Sequence, residues 1–248
     1  MRYIVLGSGS KGNCSLLEYK KDHFICIDVG FCYKTFLATL NKYNIELDNI
    51  DYYFITHNHT DHIKMLCKVP NSKIYSYKKT ISDYSYNILH KGVNDFIDFK
   101  VNVIRTSHDA PFSIGFIFNI DNKEIVYITD SGKIKNHYFK ELLNKDYYIF
   151  ESNYDINMLY NSSRPIFLKQ RIDSEKGHLS NIQAIDYLNN FVGNNTKQIF
   201  FAHISQECND PQILNNLCKN SLNCYGNVKL EILKQDDGRI FELWFLLS

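Results

Sequence analysis

Short apolar runs recur along the chain, and most of them end in a polar or charged residue. Runs of this kind, rich in Ile, Val, Tyr and Phe, predict buried β-strands. They occur at residues 2–6, 15–19, 24–28, 52–56, 73–77, 95–99, 101–106, 112–120, 125–129, 147–150, 198–202, 228–233 and 239–245. The pattern therefore predicts a strand-rich protein with polar residues concentrated at strand ends.

Apolar residues spaced three and four positions apart predict amphipathic helices between these strands. Residues 33–43 are such a segment, with Phe36, Leu37 and Leu40 on one face. Further helices are predicted over residues 80–90, 134–143, 182–191 and 211–219. Strand-rich halves with helices between them favour an α/β (α+β) fold in which helices flank two packed sheets. No linker or repeat interrupts the order, so residues 1–248 are predicted to form a single domain.

The loop after the first strand, Gly7-Ser8-Gly9-Ser10-Lys11-Gly12-Asn13, formally matches a dinucleotide-binding motif. That interpretation requires a helix directly after the glycines. A polar turn between two apolar runs follows instead, which is typical of a β-meander. The glycines are therefore predicted to let the loop pass close to a substrate or to a neighbouring strand.

Composition limits the classes of function. The 248 residues are 44% hydrophobic and 15% aromatic, which is enough for a core of two packed layers. The formal net charge is +1, so a phosphate-binding surface would have to be local. The start of the chain is too short an apolar run for a signal peptide, and no run is long enough to span a bilayer. We therefore expect no membrane partner and a cytoplasmic location.

Seven cysteines form no CxxC pair, and their odd number favours reduced, buried thiols. The last three, Cys208, Cys218 and Cys224, offer a candidate zinc site of their own. Their spacing is irregular for such a site, so we do not expect it.

The segment with the most candidate chemistry is Thr56-His57-Asn58-His59-Thr60-Asp61-His62. After a strand, alternate side chains such as His57 and His59 point the same way. Asp61 and His62 then open a helix, where a carboxylate suits the N-terminal dipole. Neutral imidazole is the commonest metal ligand in proteins. This one segment is therefore predicted to supply ligands to two adjacent metal ions.

Three later strands also end in residues that bind metals. His108 follows the strand at 101–106, and His203 follows the strand at 198–202. Asp130 ends the strand at 125–129, where its two oxygens are placed to bridge two ions. The alternative for Asp130 is the N-cap of the helix predicted at 134–143.

The pattern HxHxDH resembles the first signature of the metallo-β-lactamase superfamily, which implies its αββα sandwich with metals at one edge. The stretches GSGSKGN, ESNYD, GHLSN and HIS resemble the YycJ/WalJ-type branch, whose members are similar to DNA exonucleases. This resemblance covers nearly the whole chain. It implies a dinuclear site in which His57, His59 and His108 hold one ion, Asp61, His62 and His203 hold the other, and Asp130 is shared.

Two divalent ions at such a site are expected to supply a bridging hydroxide as nucleophile and to clamp a phosphoryl oxygen. The imidazole-rich ligands favour Zn²⁺, and the carboxylates make Mn²⁺ the alternative. The leaving sugar oxygen needs a proton. Glu151 and His178 are predicted to supply it as a general acid pair, because a carboxylate holds the imidazole in the required tautomer. The alternative for His178 is packing at the start of a helix.

The predicted catalytic residues are Asp61, Glu151 and His178, and the predicted substrate-binding residues are Ser10, Asn13, Lys169 and Arg171. The predicted function is a metal-dependent phosphodiesterase, with DNA from an end favoured over RNA as substrate. An RNA-processing nuclease, a small-molecule thioester or lactam hydrolase and a non-catalytic metal-binding module are the alternatives. A small-molecule hydrolase has no need of the Glu151 and His178 pair, and a non-catalytic module would be expected to lack ligands.

Overall fold

Two seven-stranded β-sheets form the centre of the computed structural model, which describes residues 1–235 and 238–243. The strands are β1 Arg2–Gly7, β2 Cys14–Lys20, β3 His23–Ile27, β4 Ile50–Phe54, β5 Ile74–Tyr77, β6 Asn87–Leu89, β7 Gly92–Asp95, β8 Phe99–Arg105, β9 Ile114–Ile120, β10 Lys123–Ile128, β11 Tyr147–Glu151, β12 Gln198–Ala202, β13 Lys229–Ile232 and β14 Arg239–Glu242. The first sheet has the order β14-β1-β2-β3-β4-β5-β6, and the second has the order β13-β12-β11-β10-β9-β8-β7.

Each sheet combines an antiparallel part with a parallel part. In the first sheet β14, β1, β2 and β3 pair antiparallel, whereas β3 to β6 pair parallel. In the second sheet β7 to β10 pair antiparallel, whereas β10 to β13 pair parallel. Both sheets are therefore mixed, and the parallel strands of each end at a common edge.

Helices flank the two sheets. They are α1 Tyr33–Lys42, α2 Thr60–Ile63, α3 Phe139–Leu142, α4 Ile156–Asn161, α5 Ile166–Ile172, α6 Asn181–Phe191 and α7 Pro211–Ser221. Of these, α1, α3, α6 and α7 pack on the sheets. Phe36 and Leu40 of α1 pack on the first sheet, and Leu188 of α6 and Leu214 of α7 pack on the second. The helices and sheets form four layers, which confirms the predicted αββα sandwich. The described residues include no helix long and apolar enough to cross a membrane.

The core between the sheets is rich in aromatic rings. Phe54 of β4 contributes from one sheet, and Phe116 and Phe118 of β9 face it with ring centroids 5.5 Å away. Edge-to-face contacts of this kind add to the stabilisation from buried area. Phe54 lies two residues before the segment with the candidate ligands, so the inter-sheet core fixes where that segment starts.

Replacing Phe54 with alanine is expected to lower the free energy of unfolding by about 3–5 kcal/mol, because the cavity between the sheets cannot fully collapse. Denaturant unfolding of the metal-free protein measures the change. Ile88→Ala is the control, since Ile88 is exposed on β6 and should cost under about 0.5 kcal/mol. Equal losses for the two variants would contradict this account of the core.

Some predicted elements are wrong in extent or type. Residues 80–90 form turns followed by β6 rather than a helix, because Leu89 pairs with Tyr77 at the edge of the sheet. Aspartate, serine and asparagine in that stretch also favour turns over helix interiors. The helix expected over 134–143 is reduced to a 3₁₀ turn at Asn136–Tyr138 and the short α3. The strand predicted at 239–245 runs to Glu242 within the described residues, and 244–245 lie outside them.

The last three cysteines do not come together. Cys208 packs in a small cluster with Tyr154, whereas Cys218 packs under α7 with Leu222. No candidate metal-binding group among the described residues includes them. All seven cysteines are free thiols, but the expectation that they are buried holds only in part, because Cys32 and Cys67 are exposed and Cys224 is half-buried.

Candidate metal centre

The carboxyl ends of five strands deliver the candidate ligands to one edge of the sandwich. β10, β11 and β12 are parallel, so Asp130, Glu151 and His203 emerge side by side. β8 runs in the same direction as β10, because both pair antiparallel with β9, and it delivers His108. β4 of the other sheet delivers His57. Both sheets therefore contribute to the same cluster.

The structure brings all seven predicted ligands together. Four groups of side chains have ligand atoms within 4.8 Å of one another. The groups are His57-His59-His108, Asp61-His62-His203, His57-His62-Asp130 and Asp130-Glu151-His178-His203. The first two match the two predicted ligand sets. Asp130 belongs to the other two groups, one with His57 and one with His203. The alternative of Asp130 as a helix N-cap is wrong, because α3 begins nine residues later, at Phe139.

Three residues at this edge have a left-handed backbone. Asp28, Asp130 and His203 have φ angles of 58°, 54° and 55°. Residues other than glycine adopt such angles at a cost of about 1–3 kcal/mol each. Each of the three follows a strand and turns its side chain into the cluster. The backbone strain therefore occurs at residues that supply a carboxylate or an imidazole to the cluster.

Asp28 is one residue at this cluster that the sequence analysis missed. Its fully buried carboxylate accepts hydrogen bonds from His62 Nδ1 at 2.7 Å and from the Thr56 amide at 2.8 Å. The bond from Nδ1 fixes the tautomer of His62 and leaves Nε2 for a ligand. The available signal was a carboxylate directly after the apolar run 24–27, the same pattern that identified Asp130.

Glu151 holds two imidazoles at once. Its Oε1 accepts from His178 Nδ1 at 2.8 Å and from His203 Nδ1 at 2.9 Å. Its Oε2 accepts from the amides of Ser131 and Leu179 at 2.9 and 3.2 Å. With every lone pair engaged, this buried carboxylate fixes both rings. The predicted pair with His178 is present, and the bond to His203 is an addition that the sequence did not indicate.

Burial and charge act differently on the histidines. Burial lowers the pKa of His57 well below its usual range and also lowers the pKa of His108, which favours the neutral form of both imidazoles. Burial also opposes protonation of His203, but Asp130 and Glu151 outweigh it and raise its pKa to about 9. Burial raises the pKa of the Glu151 carboxyl. His178 and His203 lower it by more, so the pKa falls to about 2. The cluster thus attracts positive charge, and a bound metal would replace the proton of His203.

Three buried atoms of the cluster make no hydrogen bond within the part of the chain that the structure describes: His57 Nε2, Asp130 Oδ2 and His203 Nε2. Buried polar atoms without partners are costly, so such a group usually indicates an ion or a water. Imidazole nitrogens and a carboxylate oxygen are ligands for Zn²⁺ and for Mn²⁺. The residues present therefore fit divalent metal ions.

The glycine loop packs directly against the ligand segment. A side chain on Gly30 would collide with the Asp61 carbonyl, and one on Gly12 would lie 2.7 Å from the Gly30 carbonyl. Asn13 is buried in the same place, where its Nδ2 lies 2.9 Å from His62 Nε2. Since β2 follows the loop, the dinucleotide interpretation is excluded. Gly12 and Gly30 allow the loops at residues 7–13 and 28–32 to pass close to each other and to Asp61, so the close approach is between loops rather than to the neighbouring strand that was predicted.

Among the other predicted substrate-binding residues, Arg171 is the one whose described contacts lead to the cluster. Ser10 is exposed at the tip of the glycine loop, and Lys169 on α5 donates to the Tyr160 carbonyl at 2.7 Å. Arg171, also on α5, forms an ion pair with Asp109. Asp109 in turn lies 3.4 Å from His108 Nε2. The Asp109 carboxylate therefore links Arg171 to the cluster. The sequence analysis did not single out Asp109.

Comparison with known families agrees with the metal-binding geometry of the cluster. A model described as a beta-lactamase superfamily domain matches residues 25–204, a range that contains every residue of the cluster. The chain belongs to the β-lactamase superfamily. The resemblance predicted from the sequence motifs is thus confirmed.

Relatives within the β-lactamase superfamily cover most of the chain. Exodeoxyribonuclease WalJ of Streptococcus pneumoniae is 30% identical over 237 residues, which cover 89% of this chain and 88% of WalJ. Exodeoxyribonuclease YycJ of Bacillus anthracis is 27% identical over 223 residues, which cover 84% of each chain. The crystal structure of the metallo-β-lactamase fold protein YhfI from Bacillus subtilis superposes with a TM-score of 0.73 at 15% identity, over 97% of this chain and 99% of YhfI. The chain is a metal-dependent hydrolase, as predicted.

Asp28 offers a test of how this β-lactamase superfamily site holds metal. Asp28→Asn keeps an acceptor for Thr56 but removes the charge that fixes the His62 tautomer. We expect metal affinity to fall about 10–100-fold, as for other residues that orient a ligand, and activity to recover in excess metal. Competition with a metal-sensitive dye measures the affinity. Unchanged affinity would mean that the tautomer is set by other contacts.

Proposed function

We propose that this protein is a dinuclear-metal-dependent phosphodiesterase that degrades DNA from an end. The observation that carries the proposal is the bond from His178 to Glu151 beside the metal cluster, with His178 Nδ1 only 3.7 Å from Asp130. A proton donor at this position serves a reaction whose leaving group is a sugar oxygen. The names of the relatives WalJ and YycJ support DNA as the substrate.

Seven residues are proposed as the metal ligands. They are His57, His59 and His108 for one ion, Asp61, His62 and His203 for the other, and Asp130 for both. When bound, two divalent ions neutralise charge on a phosphodiester and lower the pKa of water toward neutrality. Zn²⁺ is the favoured metal because imidazoles dominate the ligand set, and Mn²⁺ is the alternative.

His178 is proposed as the general acid. Its side chain is 20% exposed, whereas the Glu151 carboxylate that accepts its Nδ1 proton is fully buried. The imidazolium can therefore contact a bound substrate while its bond to the buried Glu151 carboxylate fixes its orientation. It would transfer one proton to the leaving sugar oxygen and become neutral, and the buried Glu151 would remain ionised because its pKa is about 2.

Ser10, Lys169 and Arg171 are proposed to bind substrate phosphates, whereas Asn13, which is buried and lies 2.9 Å from His62 Nε2, is proposed to hold the ligand segment in place. The Arg171 guanidinium is the best placed, because its side chain is 59% exposed while Asp109 fixes it beside His108. A planar guanidinium pairs with phosphate through two parallel hydrogen bonds. We also propose that residues 1–248 act as one domain, since both sheets supply ligands to a single cluster.

The proposal is tested with end-labelled duplex DNA, single-stranded DNA and matched RNA. The protein is reloaded with Zn²⁺ or Mn²⁺, and His59→Ala serves as the control. We expect metal-dependent release of the DNA label that His59→Ala lacks, and the order of the products gives the polarity. Cleavage of RNA alone would move the assignment to an RNA-processing nuclease. No cleavage by protein with two bound ions would indicate a small-molecule ester or thioester.

A further inference from the structure

Helix α5 exposes a large aromatic side chain near the metal centre. Phe167 is 70% exposed, and its neighbour Ile166 is 60% exposed. The opposite side of the helix packs normally, because Leu168 and Ile172 join the cluster that contains Tyr154 and Leu159. The Phe167 ring therefore does not contribute to the packing of α5.

Phe167 and Arg171 lie on the same face of α5. Residues four positions apart in a helix are neighbours one turn apart, about 6 Å along the axis. Arg171 pairs with Asp109, which lies 3.4 Å from His108 Nε2 and 3.6 Å from His59 Nε2. Phe167 thus lies one helical turn before Arg171, toward the start of α5.

The end of α5 is fixed to the metal centre by backbone contacts. The His178 amide donates to the Ile172 carbonyl at 2.9 Å, and His108 Nδ1 donates to the Gly177 carbonyl at 3.1 Å. The general acid and a candidate ligand are therefore both bonded to the segment that continues from α5. A strand bound along α5 would be led directly to His178.

The segment that carries Phe167 contains more cations than anions. Residues 164–176 include Arg164, Lys169, Arg171 and Lys176 against Asp173 and Glu175. Arg164 is paired with Glu207 and Arg171 with Asp109, but the Arg171 side chain stays 59% exposed. Exposed aromatic rings among cations are how proteins bind single-stranded nucleic acid, since every base offers a π-face for stacking. A second protein would favour a broader apolar patch than one ring and one isoleucine.

We propose that Phe167 stacks on a base of the DNA strand whose backbone phosphate binds Arg171, so that the strand end is held at His178. This inference rests on the proposed nuclease function and adds a base-binding position to it. Stacking on one aromatic residue changes affinity by about 5–150-fold and tolerates any base. The site therefore favours single-stranded or frayed ends without sequence preference.

The test compares Phe167→Leu, which keeps apolar bulk, with Phe167→Trp, which keeps stacking. On end-labelled single-stranded DNA, Phe167→Leu is expected to raise KM about tenfold, and Phe167→Trp to stay within about twofold of the unchanged protein. A 2-aminopurine base near the strand end should lose fluorescence on binding, less so with Phe167→Leu. Ile97→Ala is the control, because Ile97 is 96% exposed in the β7–β8 turn, at the end of β8 away from the metal centre.

A chromogenic phosphodiester without bases separates this inference from the proposed function. All variants should hydrolyse it at the rate of the unchanged protein, because it cannot reach Phe167. An unchanged KM for DNA in Phe167→Leu would overturn the stacking role and leave the nuclease intact, and so would an equal rise in both Phe167 variants. Hydrolysis of the chromogenic diester without cleavage of any nucleic acid would overturn both proposals.

Discussion

Replacing His59 with alanine is expected to remove one bound metal ion per chain and to lower the rate of hydrolysis by at least about 10³-fold. A bound ion supplies several kcal/mol of transition-state stabilisation, and each 1.4 kcal/mol is a factor of ten in rate. The His59 side chain makes no capping hydrogen bond at α2, and its carbonyl, which accepts from the His62 amide at 2.9 Å, remains in the variant. The fold should therefore survive the change.

Metal content by mass spectrometry and the rate on DNA are measured on the same preparation. His137→Ala is the matched control, because it removes an exposed imidazole from the 3₁₀ turn at Asn136–Tyr138. The control should keep both ions and full activity. A His59→Ala protein that is active with one ion fewer, or inactive with both ions, would show that metal and activity are not linked through this residue.

Replacing His178 with alanine is expected to slow DNA cleavage about 10²–10⁴-fold, the usual contribution of a general acid, with both metal ions retained. The loss should depend on the leaving group. A nitrophenolate leaves without protonation, so hydrolysis of a chromogenic diester should change little. Rates on the two substrates, together with metal content, give the comparison.

The pattern of losses decides between the roles of His178. Equal slowing on both substrates would indicate that His178 supports the metal centre rather than protonating a leaving group. Unchanged rates on both would return it to packing at the start of α6. His178→Gln is a useful second variant, because it keeps polar bulk at this position without an ionisable ring.

The strand ends and their ligands could be predicted because they depend on local pattern. An apolar run of β-branched and aromatic residues usually forms a buried strand, so polar residues directly after it lie at a sheet edge. That reasoning placed His57, His108, Asp130 and His203. It failed over residues 95–99, where Ile97 is exposed in the turn between β7 and β8. The helix predicted over 80–90 from helical spacing was also wrong, because Leu89 pairs with Tyr77 at the sheet edge.

Only the tertiary structure decided how the ligands are held and what surrounds them. Asp28 reaches His62 across 34 positions, Glu151 reaches His203 across 52, and Arg171 reaches Asp109 across 62. The exposure of Phe167 likewise depends on which face of α5 packs on Tyr154. Local periodicity fixes whether a residue is buried in its own strand or helix. Contacts between distant segments depend on how the two sheets and their helices pack, and a single sequence does not specify those partners.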